Sequence, residues 1–196
     1  MTSHASWPSL NRQLVAILRG LDPQEARDVA DARVAAGFEA IEVPLNSPEP
    51  FRSIEMIAKK FGGDILVGAG TVLSPSDVDR LKDAGGRLMV APNVDTSVLA
   101  RAGELGMVTM PGVFSPTEAL TAIAAGATAL KFFPANVLGP NGIKAISAVL
   151  PKGLAVGAVG ALWVIFDGSL QAALRFGGSI RRRPLRTWTC MPRQRC

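Results

Sequence analysis

Short apolar runs recur along the chain, with stretches of helical pattern between them. The seven runs start about 20 to 26 residues apart. They are Leu14–Leu18, Ala40–Val43, Ile65–Val67, Leu88–Val90, Val108–Met110, Ala129–Phe133 and Leu154–Val156. Most lack the alternation of half-exposed strands, as expected of strands that are covered on both faces. The pattern predicts a parallel sheet with helices outside it.

The stretches between the runs carry signals for the start and end of helices. Asp22-Pro23, Ser74-Pro75 and Ser115-Pro116 each place a capping residue before a proline, which favours a helix start. The matching ends carry glycines, which turn a chain out of a helix: Gly37, Gly85, Gly106 and Gly126. Seven such units with room for an eighth predict a (β/α)8 TIM barrel. An open doubly wound sheet is the competing architecture.

Composition limits the chemistry of the chain. Its 196 residues are 48% hydrophobic, which predicts one compact domain. The single histidine, His4, lies near the N-terminus, so most zinc and iron sites and every triad with a core imidazole are excluded. No apolar run is long enough to span a membrane, and the first residues lack a secretion signal. We therefore expect a cytoplasmic protein with no membrane partner.

The positive charge of the chain is concentrated at its C-terminal end. The formal charge is +5, yet residues 1–160 hold 14 basic and 15 acidic residues, and residues 161–196 hold 7 and 1. An Arg-rich tail permits a second hypothesis, a non-catalytic protein that binds nucleic acid or an acidic surface. The tail lacks an alternating aromatic and basic pattern, so we expect no nucleic-acid partner. Cys190 and Cys196 fall in this tail and do not indicate a disulfide framework.

Polar residues at the carboxyl ends of the predicted strands are the candidates for chemistry, since barrel active sites gather there. They are Arg19, Glu42, Thr71, Asn93 and Lys131, and a glycine, Gly160, follows strand seven. Lys131 stands among apolar residues, and a desolvated neutral amine is a nucleophile suited to Schiff-base formation. Glu42 stands in a similar strand, where burial raises a carboxyl pKa and permits proton transfer near neutral pH. For Lys131 the alternative is a side chain that extends its amine to solvent or pairs it with a carboxylate. For Glu42 the alternative is a structural ion pair with Lys131 or Arg19.

Further candidates lie in the loops that follow the strands. Arg19 next to Gly20 is a candidate fork for a carboxylate, with an exposed loop cation as the alternative. Thr71 ends the glycine-rich turn Gly68-Ala69-Gly70-Thr71, which would let a ligand approach the backbone. The alternative is that Thr71 caps the following helix. The loop near Gly157 to Gly160 follows strand seven, where barrels often bind phosphate through backbone N–H groups. Ala161, Gly178 and Ser179 complete the candidate binding residues.

Six ordered motifs together resemble the class I 2-keto-3-deoxy-6-phospho-sugar-acid aldolases. The resemblance covers about residue 13 to Gly160. The motifs are Ile17-Leu18-Arg19-Gly20, Glu42-Val43-Pro44-Leu45-Asn46-Ser47-Pro48, Gly68-Ala69-Gly70-Thr71-Val72, Ala91-Pro92-Asn93, Pro111-Gly112 and Lys131-Phe132-Phe133-Pro134. The second motif resembles the members that act on 2-dehydro-3-deoxy-6-phosphogalactonate, whereas members that prefer the gluconate epimer usually have Thr-Leu-Arg-Thr there.

The resemblance implies a trimeric (β/α)8 barrel that cleaves a phosphorylated sugar acid without a metal and without a cofactor. By similarity, Lys131 would form the Schiff base with the C2 carbonyl, and Glu42 would move protons during dehydration and C3–C4 cleavage. Arg19 and Thr71 would hold the carboxylate end of the substrate. The products would be pyruvate and glyceraldehyde 3-phosphate.

The chain departs from the family after Gly160. The family has Gly-Gly-Val in its phosphate loop, but here Gly160 is followed by Ala161-Leu162-Trp163. Loss of one G from codons for Gly-Gly-Val yields codons for Gly-Ala-Leu, so a frame slip is one hypothesis. We predict two regions, an aldolase barrel of seven strands in residues 1–160 and a divergent basic segment in residues 161–196. A barrel that is incomplete after strand seven would leave strands one and seven as unpaired edges.

Three functional hypotheses remain besides the galactonate aldolase. The first is the gluconate-preferring aldolase, and the second is a catalytically impaired, non-enzymatic relative. The third is a phosphate-sugar isomerase on the same barrel, in which Lys131 would act only through its charge. A covalent adduct on Lys131 would separate the aldolases from the other two.

Overall fold

The computed structural model describes residues 5–160 and the backbone of residues 163–166. Helices alternate with the strands over most of this length, as the sequence predicts. The strands are β1 (Leu14–Ile17), β2 (Ala40–Pro44), β3 (Leu66–Gly70), β4 (Leu88–Val90), β5 (Val108–Met110), β6 (Gly112–Val113), β7 (Ala129–Phe132), β8 (Ala155–Val159) and β9 (Trp163–Phe166). The helices are α1 (Ala26–Ala35), α2 (Pro50–Phe61), α3 (Pro75–Asp83), α4 (Thr96–Glu104), α5 (Pro116–Ala124) and α6 (Ala135–Ser147).

The strands form one sheet in the order β5-β4-β3-β2-β1-β9-β8-β7-β6. Only Pro111 separates β5 from β6, and its carbonyl accepts the Lys131 N–H at 2.9 Å. The two ends of the sheet are therefore one stretch of chain, and the sheet closes on itself. All pairs are parallel except those that β9 makes. The predicted α/β barrel is confirmed. The fifth predicted strand is β5, and the short strand β6 follows it as an element that the sequence analysis did not predict.

β9 occupies the place of an eighth strand, but it runs antiparallel to its neighbours. It pairs Val164 with Val15 of β1 and with Val159 of β8. The prediction of unpaired edges after strand seven is therefore wrong, because β9 pairs with both β1 and β8. Residues 161–162 and 167–196 lie outside the described residues, so the domain boundary at residue 160 stays a prediction.

The apolar side chains form two layers, which explains the uninterrupted apolar runs. One cluster fills the barrel and includes Val15, Ile17, Leu66, Leu88, Val90, Val108, Met110 and Ala129. The other lies between sheet and helices and includes Ile41, Val43, Val67, Leu130 and Phe132 with Ile54, Ile57, Val78 and Leu81 of the helices. Successive strand residues alternate between these layers, so both faces of each strand are buried.

Most of the predicted helix signals have the predicted effect. The Ser74 hydroxyl accepts the Asp77 N–H at 3.2 Å, and Ser115 forms a capping box with Glu118. The glycines that were predicted to end helices all have positive φ: Gly37, Gly85, Gly106 and Gly126. Asp22 is different, because its carboxylate accepts the Gln24 N–H in a turn and helix α1 begins only at Ala26.

No helix in the described part of the chain is long and apolar enough to cross a bilayer.

Candidate active site

Lys131 lies on β7 and points into the barrel. Ala129, two residues earlier, belongs to the inner apolar cluster, whereas Leu130 and Phe132 face the helices. The strand alternation therefore turns the Lys131 side chain inward. Its partners in register are Gly112 of β6 and Gly157 of β8, so no side chain flanks it on either strand. Lys131 is only 6% exposed, so its amine is largely removed from water.

Glu42 lies on β2 and also points into the barrel. Ala40 belongs to the inner cluster, and Ile41 and Val43 face the helices. In register, Glu42 lies between Ile17 of β1 and Gly68 of β3. The side chain is 3% exposed, and its Oε2 atom is buried without a hydrogen-bond partner in the described residues. Such an unpaired buried oxygen is costly, which is typical of a group that is held for a ligand.

Burial shifts the pKa values of both groups toward neutrality. Loss of solvation raises the pKa of Glu42 to about 7, against the opposing effect of the nearby positive charges of Lys131 and Arg19. Loss of solvation also lowers the pKa of Lys131 to about 8, while Glu42 raises it and Arg19 lowers it further. A neutral amine and a protonatable carboxyl are therefore both accessible near neutral pH.

The two groups interact through space. Each contributes to the pKa of the other, yet in the described part of the chain no ion pair within 4.0 Å joins them. The alternative, a structural ion pair between Glu42 and Lys131, is therefore not formed. The Lys131 ammonium lies 5.2 Å from the centre of the exposed Phe133 ring, so an aromatic face borders the amine.

Arg19 lies at the barrel mouth, in the loop after β1. It is exposed, and its Nη1 atom is 3.5 Å from the Asn46 side-chain oxygen. The next N–H, that of Gly20, donates to the buried Ser47 hydroxyl at 3.0 Å. These contacts join the loops after β1 and β2, so Arg19 stands beside Glu42 and Lys131 with its charge available to an anion.

The other candidates lie around the same end of the barrel. Thr71 follows β3 directly and is half-buried, with a left-handed φ of 58° that is unusual for a threonine. Asn93 is exposed after β4. Gly160 is exposed after β8, where a Cβ atom would lie 3.8 Å from Cβ of Asn136. Ala161, Gly178 and Ser179 lie outside the described residues.

The structure also reveals residues to which sequence reasoning assigned no role. Asn46 and Ser47 fix the Arg19 loop, and both belong to the Glu42 motif, which was the available signal. Gly112 and Gly157 leave space beside Lys131, but only strand register shows this. The sequence prediction of a phosphate loop from Gly157 onward is wrong in its start, because Gly157 lies within β8. Within the described part of the chain, no three His, Cys, Asp or Glu residues are grouped to hold a metal ion.

Comparison with known proteins agrees with this geometry. A family model described as "KDPG and KHG aldolase" matches residues 9–155. The chain therefore belongs to the KDPG and KHG aldolase family, whose members are class I aldolases, and the resemblance of the motifs is confirmed.

Two curated relatives and one solved structure are particularly similar. A probable 2-dehydro-3-deoxy-6-phosphogalactonate aldolase of Rhizobium meliloti (strain 1021) is 61% identical over 78% of this chain and 72% of its own length. The 2-dehydro-3-deoxy-6-phosphogalactonate aldolase of Escherichia coli (strain K12) is 50% identical over 75% of this chain and 72% of its own. A structure described as native KDPGal has a TM-score of 0.76 and 47% identity, and covers 80% of this chain and 76% of its own.

Proposed function

We propose that this chain cleaves 2-dehydro-3-deoxy-6-phosphogalactonate to pyruvate and glyceraldehyde 3-phosphate through an imine on Lys131. The observation that carries the proposal is the buried Lys131 amine, which shares the barrel interior with Glu42, whose Oε2 atom has no hydrogen-bond partner in the described residues. The names of the two curated relatives support this substrate over its gluconate epimer. The antiparallel β9 still closes the barrel around this pair, which supports an active enzyme over an impaired relative.

The proposed reaction begins at the amine. Neutral Lys131 Nζ attacks the C2 carbonyl carbon and forms a carbinolamine. Glu42, in its protonated form, donates a proton to the departing hydroxyl, and water leaves as the protonated imine forms. A pKa of about 7 for Glu42 and about 8 for Lys131 makes both required forms available in the same pH range.

Carbon–carbon cleavage then follows on the imine. The Glu42 carboxylate removes the proton of the C4 hydroxyl, the C3–C4 bond breaks, and its electron pair moves into the protonated imine. Glyceraldehyde 3-phosphate leaves, and an enamine remains on Lys131. Glu42 returns its proton to C3, and hydrolysis of the imine releases pyruvate. All electrons and protons come from the substrate, water, Lys131 and Glu42, so we propose no cofactor and no metal.

Arg19 and Thr71 are the proposed binding groups for the substrate carboxylate. A guanidinium matches the geometry of a carboxylate, and Arg19 is near enough to Lys131 to affect its pKa. Thr71 directly follows β3, which borders the strand that carries Glu42. Gly160, Ala161, Gly178 and Ser179 remain the proposed contacts of the phosphate end.

We predict that Arg19→Gln weakens substrate binding and shifts the pH profile upward. Loss of the carboxylate contact is expected to raise KM roughly tenfold, as for a hydrogen bond to a charged group. Arg19 lowers the pKa of both Glu42 and Lys131, so its removal raises both values. The half-maximal pH for trapping of the pyruvate imine with borohydride therefore moves upward. Arg27→Gln, an exposed arginine on α1, is the matched control, and an unchanged profile in Arg19→Gln would contradict the prediction.

A homotrimer in the cytoplasm is part of the same proposal. Large apolar side chains are exposed near the barrel mouth, including Phe114 at 40%, Phe133 at 36% and Val137 at 67%. Burial of such a surface between copies would stabilise an assembly. Light scattering of the purified chain should give three times the protomer mass of 20.5 kDa.

Trapping with borohydride tests the proposed function. The purified chain is incubated with pyruvate, reduced, digested and analysed by peptide mass spectrometry, and we expect the added mass on Lys131. Release of pyruvate from the galactonate and gluconate epimers, measured with lactate dehydrogenase, then identifies the substrate. A folded sample that forms no adduct would overturn the proposal and indicate an impaired relative or an isomerase.

A further inference from the structure

Gly70, the last residue of β3, lies against the carboxylate of Glu42. Leu66 of the same strand belongs to the inner apolar cluster, so the strand alternation places Gly68 and Gly70 on the inner face as well. An ideal Cβ atom at Gly70 would lie 2.5 Å from Glu42 Cδ and 3.0 Å from Oε1, and would overlap Oε2. The three atoms nearest to that position all belong to Glu42.

The backbone does not require glycine at this position. Gly70 is absent from the residues with positive φ among those described, and glycine inside a strand weakens it. Gly68 differs, because a Cβ atom there would collide with the Leu88 carbonyl oxygen of the neighbouring strand. Close approach of two strands thus explains Gly68, whereas only the Glu42 side chain explains Gly70.

We propose that Gly70 is a positioning residue for Glu42: the space left by its missing side chain holds the carboxylate at the barrel mouth. The Oε2 atom that fills this space has no hydrogen-bond partner in the described residues. It is therefore free to exchange a proton with a substrate held beside Thr71. Any side chain at residue 70 would push the carboxylate away from this place. The catalytic part of this inference rests on the proposed function.

The test is the Gly70→Ala variant of the full chain. We expect kcat for cleavage to fall about 100-fold, as for a reacting group that is displaced by about 1 Å, with little change in KM. The limb of the pH profile that belongs to the Glu42 pKa of about 7 should also move. Gly103→Ala on α4 is the matched control, because a Cβ atom there meets nothing within 4 Å. It should leave kcat unchanged.

A double-mutant cycle separates this role from general damage to the fold. In a Glu42→Ala background, Gly70→Ala has no carboxylate to displace and should change residual kcat less than twofold. The Tm should fall in the wild-type background and not in the Glu42→Ala background. Full activity of Gly70→Ala, or an equal loss in both backgrounds, would overturn the proposal.

The two proposals fail in different ways. If the wild-type chain forms no adduct with pyruvate, the proposed function is overturned. The Tm change caused by Gly70→Ala, compared between the wild-type and Glu42→Ala backgrounds, still reports whether Gly70 holds the Glu42 side chain. Coupling supports the positioning role, and its absence overturns that role even in an active enzyme.

Discussion

Lys131→Met abolishes trapping of pyruvate and lowers kcat/KM for cleavage by at least about 10³-fold, since the nucleophile is lost. Lys131→Arg should be equally inactive, because a guanidinium keeps the charge but does not become a neutral nucleophile. Steady-state kinetics and peptide mass spectrometry measure both effects. An Arg variant with a tenth or more of wild-type activity would show that the charge suffices, as in the isomerase hypothesis. Lys144→Arg, on the exposed surface of α6, is the control.

Lys131→Met also tests how much the burial of the amine lowers the stability of the fold. The pKa of Lys131 falls from 10.5 to about 8 on folding. The unfolded chain therefore binds more protons between these pH values, and wild-type stability rises with pH across this window. Lys131→Met removes this dependence and should raise the free energy of unfolding at pH 7 by about 3 kcal/mol. Urea unfolding at pH 7 and pH 10 measures the free energy of unfolding of both proteins. A Met variant that is less stable than the wild type at pH 7 would show that burial of the Lys131 amine does not lower stability.

Glu42→Gln lowers kcat for cleavage by about 10³-fold, the effect expected for loss of a general acid and base. Trapping of pyruvate on Lys131 should become slower but still occur, because the nucleophile remains. Loss of the Glu42 charge also lowers the pKa of Lys131 below about 8, since Glu42 raises it. Glu25→Gln, an exposed carboxyl before α1, is the control. A Glu42→Gln enzyme with normal kcat would exclude Glu42 as the proton carrier.

Glu42→Gln also changes how stability depends on pH. The pKa of Glu42 rises from 4.5 to about 7 on folding, so the folded chain binds more protons between these values. Wild-type stability therefore falls as pH rises from 4.5 to 7, and the Gln variant should lack this component. Above pH 7 the variant should be more stable by about 3 kcal/mol. Equal pH dependence of wild type and variant would contradict the raised pKa.

The candidate site shows which interpretations local sequence supports. Lys131 and Glu42 stand out because burial of a charged side chain within an apolar strand costs free energy. The sequence alone shows this, without knowledge of which residues are close in space. Gly70 carries no such signal, because glycine is also common in turns after strands. Its role depends on where the Glu42 carboxylate lies, and only the three-dimensional structure shows that it lies against Gly70.

The C-terminal end has a clear sequence signal whose structural consequence was predicted wrongly. The break in motif after Gly160 is visible in the sequence and led to the wrong expectation of open edges. An incomplete barrel presents two rows of unpaired backbone groups on β1 and β8. Such edges are a template for another strand, and here β9 pairs with both in the antiparallel direction.

The sequence by itself determined the alternation of strands and helices, the caps at Ser74 and Ser115, and the chemical types in the site. These features depend on residues that are close in the chain, through local hydrogen bonds and periodic burial. Only the tertiary structure decided that Glu42 and Lys131 share the barrel interior, that Gly70 makes room for the carboxylate, and that β9 closes the barrel. Those features depend on strand register and ring closure, which join residues far apart in the chain and have no local signal.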